Sequence, residues 1–500
     1  MASMVSCWEK QRGNEEMAIE VVKNYINGEW VASRSAQQLD VVNPATAELL
    51  GKVPLSTREE VQSAIAAAKE AFWEWRQTPP VNRTRLLWRL KNLLEENFEE
   101  LARVLVREEG KTLDESRGEI RRGIENVDNA MGIPALMMGY NLEDIAPEID
   151  EVMVRQPVGV FCIIAPFNFP HMVPLWFLPY AVATGNTCIV KPSEQVPLSQ
   201  NRLFELLDEA GFPEGVVNLV NGAKEVVDAL LDSPDIAGVS FVGSSAVARQ
   251  VYAKAAAHGK RAQCQGGAKN FVVVMPDADL DRSVPGLITS FYGCAGERCL
   301  SGSVLVPVGD VYEPLKEKFV EAASRLRVGY GLDETAQMGP LVSRRHMERV
   351  LGYIEKGVQE GAKLLLDGRG IKVEGYPNGN FIGPTVFDGV TPDMTIAREE
   401  IFGPVVSMIR AETLDEAMDM IHANPYGNAA CIFTSSGATA REFKYRVHCG
   451  NIGVNIGIAA PMAFFPFSGA RGSFFGDLHG QGKDAIDFFT EKKVVIERWF

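Results

Sequence analysis

The chain has 500 residues, 46% of them hydrophobic and 23% charged, a balance that excludes disordered and fibrous classes. Its length exceeds one ordinary core and implies roughly two to four packed units. The formal net charge of −15 disfavours general nucleic-acid binding, because such a surface repels phosphates.

Residues 1–20 lack a basic segment followed by an apolar one and carry Glu9, Glu15 and Glu16. They read as a flexible extension, not as a signal or transit peptide. No run of about twenty apolar residues is uncharged enough to span a bilayer, so no membrane role is expected. Cysteines stand at positions 7, 162, 188, 264, 294, 299, 431 and 449 without a CxxC pair. Neither a metal site nor a disulfide framework is expected, and the setting expected is reducing and cytoplasmic.

From Asn24 to Val53, strand-like runs are broken by Asn-Gly and Asn-Pro turns. Ser56 and Glu59 form a capping box ahead of the helical stretch VQSAIAAAKEAFWEW. Further amphipathic helices are predicted from about Arg83 to Ile133. From Pro157 the pattern changes to strand–helix alternation: PVGVFCIIAP, TCIVKP, NRLFELLDEAGF, VVNLVNG, EVVDALLDS, IAGVSFVG and AVARQVYAKAAAHG in turn. This predicts a doubly wound parallel sheet with helices on both faces. A second α/β unit opens at Phe271 and runs to about residue 456. The final run, DFFTEKKVVIERWF, reads as a strand, for which a second subunit is the expected partner.

Three strand-to-helix turns carry candidate binding residues. PFNFP (Pro166–Pro170) ends the first strand, and its Asn168 amide is a neutral donor suited to an oxyanion, although the motif alone fits a plain turn Asn between two prolines better. In KPSE (Lys191–Glu194), a lysine and a carboxylate stand at a strand end where a ribose or phosphate would meet them, and the carboxylate would repel a 2'-phosphate; either residue alone fits a solvated surface turn better. Gly243-Ser244-Ser245 presents backbone amides at a helix start, although the GxGxxG pattern is absent. In the stretch Gly293 to Cys299, Arg298 directly precedes Cys299, which makes that residue a candidate low-pKa thiol. The heptapeptide alone equally fits a buried structural cysteine. Cys294 is read as structural.

Together these residues resemble the aldehyde dehydrogenase superfamily, over nearly the whole chain from NYINGEW to FFTEKKVV. The ordered motifs are PFNFP, KPSE, FVGSS, GGAK, GERC, EEIFGPV and NPYGN. The resemblance implies two doubly wound parallel-sheet domains plus a small oligomerisation arm. The NAD-binding domain would span 21–140 and 157–270, and the catalytic domain 271–456. The arm and C-terminal tail would span 141–156 and 457–500, assembling a dimer or homotetramer. It further implies Cys299 as nucleophile, with Asn168 and the Cys299 backbone N–H as oxyanion donors. Lys191 and Glu194 would meet the adenosine ribose of NAD, and Glu400 and Phe402 the nicotinamide side. Ala165, Phe167 and Ser244 would line the groove, flanked by Gln195 and Gly266.

One departure is informative. Hydrolytic members carry a Glu four residues before the GGAK lysine, where it activates water. Here that position is Gln265, whose amide cannot take a proton. This resembles the coenzyme A-acylating branch, typified by methylmalonate-semialdehyde dehydrogenase. RGIEN (Arg122–Asn126), GAKN and the tail stretch Ala460–Gly469 resemble it too. By that resemblance Arg122 and Arg298 would hold the substrate carboxylate, whereas Arg117 and Arg121 are ordinary surface charges. The expected reaction is oxidative decarboxylation of methylmalonate or malonate semialdehyde to propionyl-CoA or acetyl-CoA. The alternative is a hydrolytic dehydrogenase for another small acidic aldehyde.

Overall fold

The computed structural model describes residues 20–500, so the expected N-terminal extension lies, but for Glu20, outside the described residues. Two sheets dominate the described chain. The first has eight strands in the spatial order Glu29–Val31, Asn24–Ile26, Val217–Leu219, Thr187–Lys191, Val160–Ile164, Ile236–Val242, Arg261–Gln265 and Phe474–Gly476. The strands from Val217–Leu219 to Arg261–Gln265 run parallel. Antiparallel strands close both edges.

Val160–Ile164 is buried at every position. Its unbroken apolar run is what a strand covered on both faces requires. Val160, Cys162 and Ile164 face one core with the helix Arg58–Trp75; Phe161 and Ile163 face the other. This is the period-2 alternation of a strand. Each fully buried aliphatic or phenyl side chain contributes about 1.5–3 kcal/mol. Chain order reverses between Val160–Ile164 and Ile236–Val242. Open α/β sheets bind ligands beyond the carboxyl ends of strands at such a switch point.

The second sheet has seven strands in the order Lys363–Leu366, Thr385–Asp388, Val405–Met408, Gly302–Pro307, Asn270–Val274, Ala429–Phe433 and Asn451–Val454. All its pairs are parallel except the edge pair Lys363–Leu366 with Thr385–Asp388. A separate antiparallel unit joins Tyr140–Ala146, Ile149–Pro157 and Thr490–Arg498. The fold is thus the expected one, with two parallel-sheet units and a small strand-built arm.

Two local expectations are corrected. The terminal strand needs no second subunit as its first partner: it pairs along its length with Ile149–Pro157 of the same chain, from Thr490↔Pro157 to Arg498↔Ile149. Its outer edge is left without a strand partner among the described residues. The capping box is built one residue later than expected, from Thr57 and Glu60. The Ser56 hydroxyl instead accepts from Asn24 Nδ2 at 2.9 Å. Among the described residues, no helix is long and apolar enough to cross a membrane.

Candidate active site

Four parallel neighbours in the first sheet deliver the candidate binding residues from their carboxyl ends. Ala165, Phe167 and Asn168 follow Val160–Ile164, and Glu194 and Gln195 follow Thr187–Lys191, whose last residue is Lys191. Ser244 follows Ile236–Val242, and Gly266 follows Arg261–Gln265. Ala165 N donates to Lys191 O at 3.0 Å, locking the first two turns together. Gly266 N donates to Ser473 O at 2.8 Å, so the tail supports the fourth.

These ends have the donor set of a dinucleotide site. Ser244 caps the helix Ser245–Ala257, and its hydroxyl makes no capping bond. The first-turn amides are therefore available to an anion. Ser245 is committed elsewhere, donating to Gly472 O at 2.6 Å and accepting from Gly267 N at 2.8 Å. Lys191 Nζ meets Glu194 Oε2 at 2.8 Å. Burial opposes ionisation of Glu194, but the Lys191 ammonium prevails and holds the carboxyl below its usual range. The Gln195 backbone N–H is used within the turn, donating to Ser193 Oγ at 3.3 Å.

The second sheet meets this groove with the amino ends of its strands. Cys299 lies just before Gly302–Pro307, and Glu400 and Phe402 just before Val405–Met408. The Cys299 carbonyl accepts from Asn270 Nδ2 and Asn428 Nδ2, each at 2.8 Å. Asn168 Nδ2 donates to the Glu297 carbonyl at 2.9 Å, so the PFNFP turn touches the cysteine loop directly. Glu400 Oε1 accepts from Ala268 N at 2.8 Å. At Gly267 a Cβ would stand 2.3 Å from Glu400 Oε2, so any larger residue would displace that carboxylate. Phe402 adopts φ +61° and packs edge-on against Phe167 at 5.8 Å. Its carbonyl is 2.7 Å from His346 Nε2. Arg298, Glu400 and Phe402 line one cavity together with Lys269.

The expected low-pKa thiol is corrected. Desolvation pushes Cys299 up to about 12, and the Arg298 guanidinium offsets only part of it. Arg298 Nη2 points instead to Cys294 Sγ, at 3.1 Å. Cys294 and Ala295 hold left-handed φ values of 51° and 50°, and Cys294 N donates to Glu115 Oε1 at 2.5 Å. Two non-glycine residues in that region cost on the order of 1–3 kcal/mol each. Glu115 is the local anchor that keeps them there.

Gln265 is buried, and its Nε2 donates to Phe467 O at 3.2 Å. Its Oε1 has no partner among the described residues. Arg122 is part exposed and paired with Glu125 Oε2 at 3.0 Å, while its guanidinium also touches Met462 of the tail. Arg122 and Arg298 therefore rest on different protein partners. Arg117 and Arg121 make surface pairs with Glu99 and Glu95, as expected. Sequence reasoning assigned no task to Asn270 or Asn428, the clamps on Cys299, although both stand inside quoted motifs, GAKN and NPYGN.

The aldehyde dehydrogenase family matches residues 30–495. The chain is 51% identical to malonate-semialdehyde dehydrogenase 2 of Geobacillus kaustophilus, over 96% of this chain and 99% of that protein. It is 50% identical to malonate-semialdehyde dehydrogenase of Halalkalibacterium halodurans over the same shares. Among solved structures, methylmalonate-semialdehyde dehydrogenase of Oceanimonas doudoroffii superposes with a TM-score of 0.95 at 45% identity, covering 96% of this chain and 99% of that one. A candidate methylmalonate-semialdehyde dehydrogenase of Sinorhizobium meliloti 1021, solved with NAD, also gives 0.95 at 46% identity, covering 97% and 99%. The chain belongs to the aldehyde dehydrogenase family.

Proposed function

We propose that this protein is an NAD-dependent, coenzyme A-acylating dehydrogenase of malonate or methylmalonate semialdehyde. The observation that carries the reading is Gln265, an amide held against Phe467 O where the hydrolytic reaction needs a carboxylate. The names of the relatives at about 50% identity agree with it.

In this reading Cys299 gives up its thiol proton to water, the resulting thiolate adds to the aldehyde carbon, and Asn168 Nδ2 donates to the oxygen as it gains charge. The neighbouring Cys299 amide is the second donor. NAD, when bound, supplies the acceptor for the hydride. Arg298 and Arg122 hold the substrate carboxylate in place. The thioacyl group on Cys299 then loses its β-carboxylate as CO2, and the remaining electron pair is delocalised into the thioester carbonyl. Protonation leaves an acetyl or propionyl thioester. The thiol of coenzyme A attacks its carbonyl and Cys299 sulfur leaves, taking up the proton that coenzyme A gives up, so that acetyl-CoA or propionyl-CoA is released and the Cys299 thiol is restored.

Residues 21–140 and 157–270 act as the NAD-binding domain, with Lys191 and Glu194 at the adenosine ribose and Ala165, Phe167, Gln195, Ser244 and Gly266 along the groove. Residues 271–456 form the catalytic domain, with Glu400 and Phe402 at the nicotinamide side. Of the expected arm and tail, residues 141–156 and 457–500, the three-stranded unit that ends in Thr490–Arg498 assembles the chains into a dimer or tetramer, whereas Phe474–Gly476 belongs to the first sheet. Exposed Leu142, Ile145, Val494 and Ile496 on the arm support that assembly. The setting is cytoplasmic. Mass spectrometry of the product formed from malonate semialdehyde, NAD and coenzyme A tests the reading. Acetyl-CoA is expected, and free acid in its place would overturn it.

A further inference from the structure

The turn that carries Asn168 is gripped from both sides by buried charges at the junction of the helices Phe98–Glu108 and Leu113–Ala130. Lys111 has no exposed side-chain surface, nor has Glu119. Lys111 Nζ donates to the Asn168 carbonyl at 2.7 Å and to Glu119 Oε2. Glu119 Oε1 accepts from His171 N at 2.9 Å and Met172 N at 3.1 Å. The ammonium also lies 4.1 Å from the Phe169 ring centre. One ion pair thus fixes the carbonyl side and the amide side of the same five-residue turn, residues 168–172.

The backbone is shaped to bring Lys111 there. Gly110 sits at φ +106°, a conformation open mainly to glycine. Gly331 lets its loop close on this point, because a Cβ would stand 2.2 Å from Lys111 O. Leu113 N donates to Gly331 O at 3.0 Å. Glu109 adds a second buried carboxylate, 3.8 Å from Lys111 Nζ. Stability does not account for such a cluster. Desolvating the ions roughly cancels their attraction, and apolar packing of equal volume commonly does as well. Hydrogen bonds of fixed direction to one turn are what apolar packing cannot supply.

We propose that Lys111 and Glu119 are positioning residues for oxyanion stabilisation: they orient the Asn168 peptide, and through it the side-chain amide beside Cys299. The inference rests on Asn168 being the oxyanion donor. Neither residue touches the reacting atoms; each acts through the turn.

The test is a mutant cycle read by the pre-steady-state rate of NADH formation from propanal, which needs no substrate carboxylate. Lys111→Met/Glu119→Gln removes the ion pair; Glu109 also loses its ammonium partner, and desolvation, which already pushes its carboxyl upward, then favours its neutral form. The double variant is expected to bind NAD and to alkylate at Cys299 as the parent does, while NADH formation slows about ten- to a hundredfold. Asn168→Ala is expected to cost far less in that background than in the parent, because the donor is already misplaced. Equal factors in the two backgrounds overturn the proposal, as does an undiminished rate in the double variant. Should the double variant fail to fold, Glu119→Gln alone carries the same cycle and criterion. It keeps an oxygen for the His171 and Met172 amides but turns an N–H toward Lys111. An Asn168→Ala variant as fast as the parent overturns the oxyanion assignment and this proposal with it. A slow Asn168→Ala beside a fast Lys111 variant overturns this proposal alone.

Discussion

Asn168 Nδ2 donates to the backbone carbonyl of Glu297 at 2.9 Å, two residues before Cys299. That single bond joins the carboxyl end of a strand in the first sheet to the cysteine loop at the amino ends of the second. The amide is thereby held beside Cys299, and its second N–H remains for a ligand oxygen.

Asn168→Ala is expected to slow NADH formation by about a hundred- to a thousandfold, the usual cost of one oxyanion donor. NAD affinity should hold, because the ribose contacts lie on other turns. Asn168→Asp should be slower still, since it sets a carboxylate against the Glu297 carbonyl. Stopped-flow absorbance at the NADH band measures all three. A parental rate in Asn168→Ala would remove the residue from catalysis.

Arg122 rests on Glu125 at 3.0 Å, so a substrate carboxylate must compete with a protein carboxylate for it. Arg122→Leu is expected to lower kcat/KM for malonate semialdehyde about ten- to a hundredfold more than for propanal. Glu125→Gln should lower KM for the semialdehyde by a few-fold and leave propanal untouched. Equal losses on both substrates in Arg122→Leu would make that arginine a structural residue.

Glu194 stays ionised beside Lys191, and in the proposed cofactor pose that charge faces the 2'-phosphate of NADP. NAD should be the preferred cofactor in steady-state kinetics. Glu194→Gln should narrow the gap roughly five- to tenfold, the effect of about 1 kcal/mol between charges 4 Å apart in water-like surroundings. Parental kinetics with NADP equal to those with NAD would contradict this placement.

Desolvation pushes the Cys299 thiol up to about 12, so at neutral pH the resting group is the thiol. Below its pKa the thiolate fraction grows with pH. Alkylation of the free protein by iodoacetamide should therefore rise about tenfold per unit between pH 7 and 9, without a plateau. Cys294 is buried against Arg298 and should label far more slowly. A plateau near pH 7 would mean that Arg298 stabilises a resting Cys299 thiolate.

Much of this was legible in the sequence because it is local. The apolar run from Val160 to Ile164 and the turn residues after it define a strand end wherever the chain lies. The order of the motifs then fixed the family. What stayed hidden depends on distant partners. Asn24 donates to the Ser56 hydroxyl, and the helix cap stands at Thr57. Ile149–Pro157 takes the terminal strand, which read as needing a second chain. In sequence Arg298 adjoins Cys299, but the backbone at Cys294 and Ala295 folds back and gives it Cys294 instead. Lys111 reads as one of many lysines until the fold seals it beneath Asn168.

The most direct measurement is NADH formation from malonate semialdehyde with coenzyme A present and absent. Gln265 cannot activate water, so without coenzyme A the enzyme should release about one NADH per active Cys299 and then nearly stop. Adding coenzyme A should restore continuous turnover with acetyl-CoA as product. Full-rate turnover to the free acid without coenzyme A would contradict the account and place this chain among the hydrolytic aldehyde dehydrogenases.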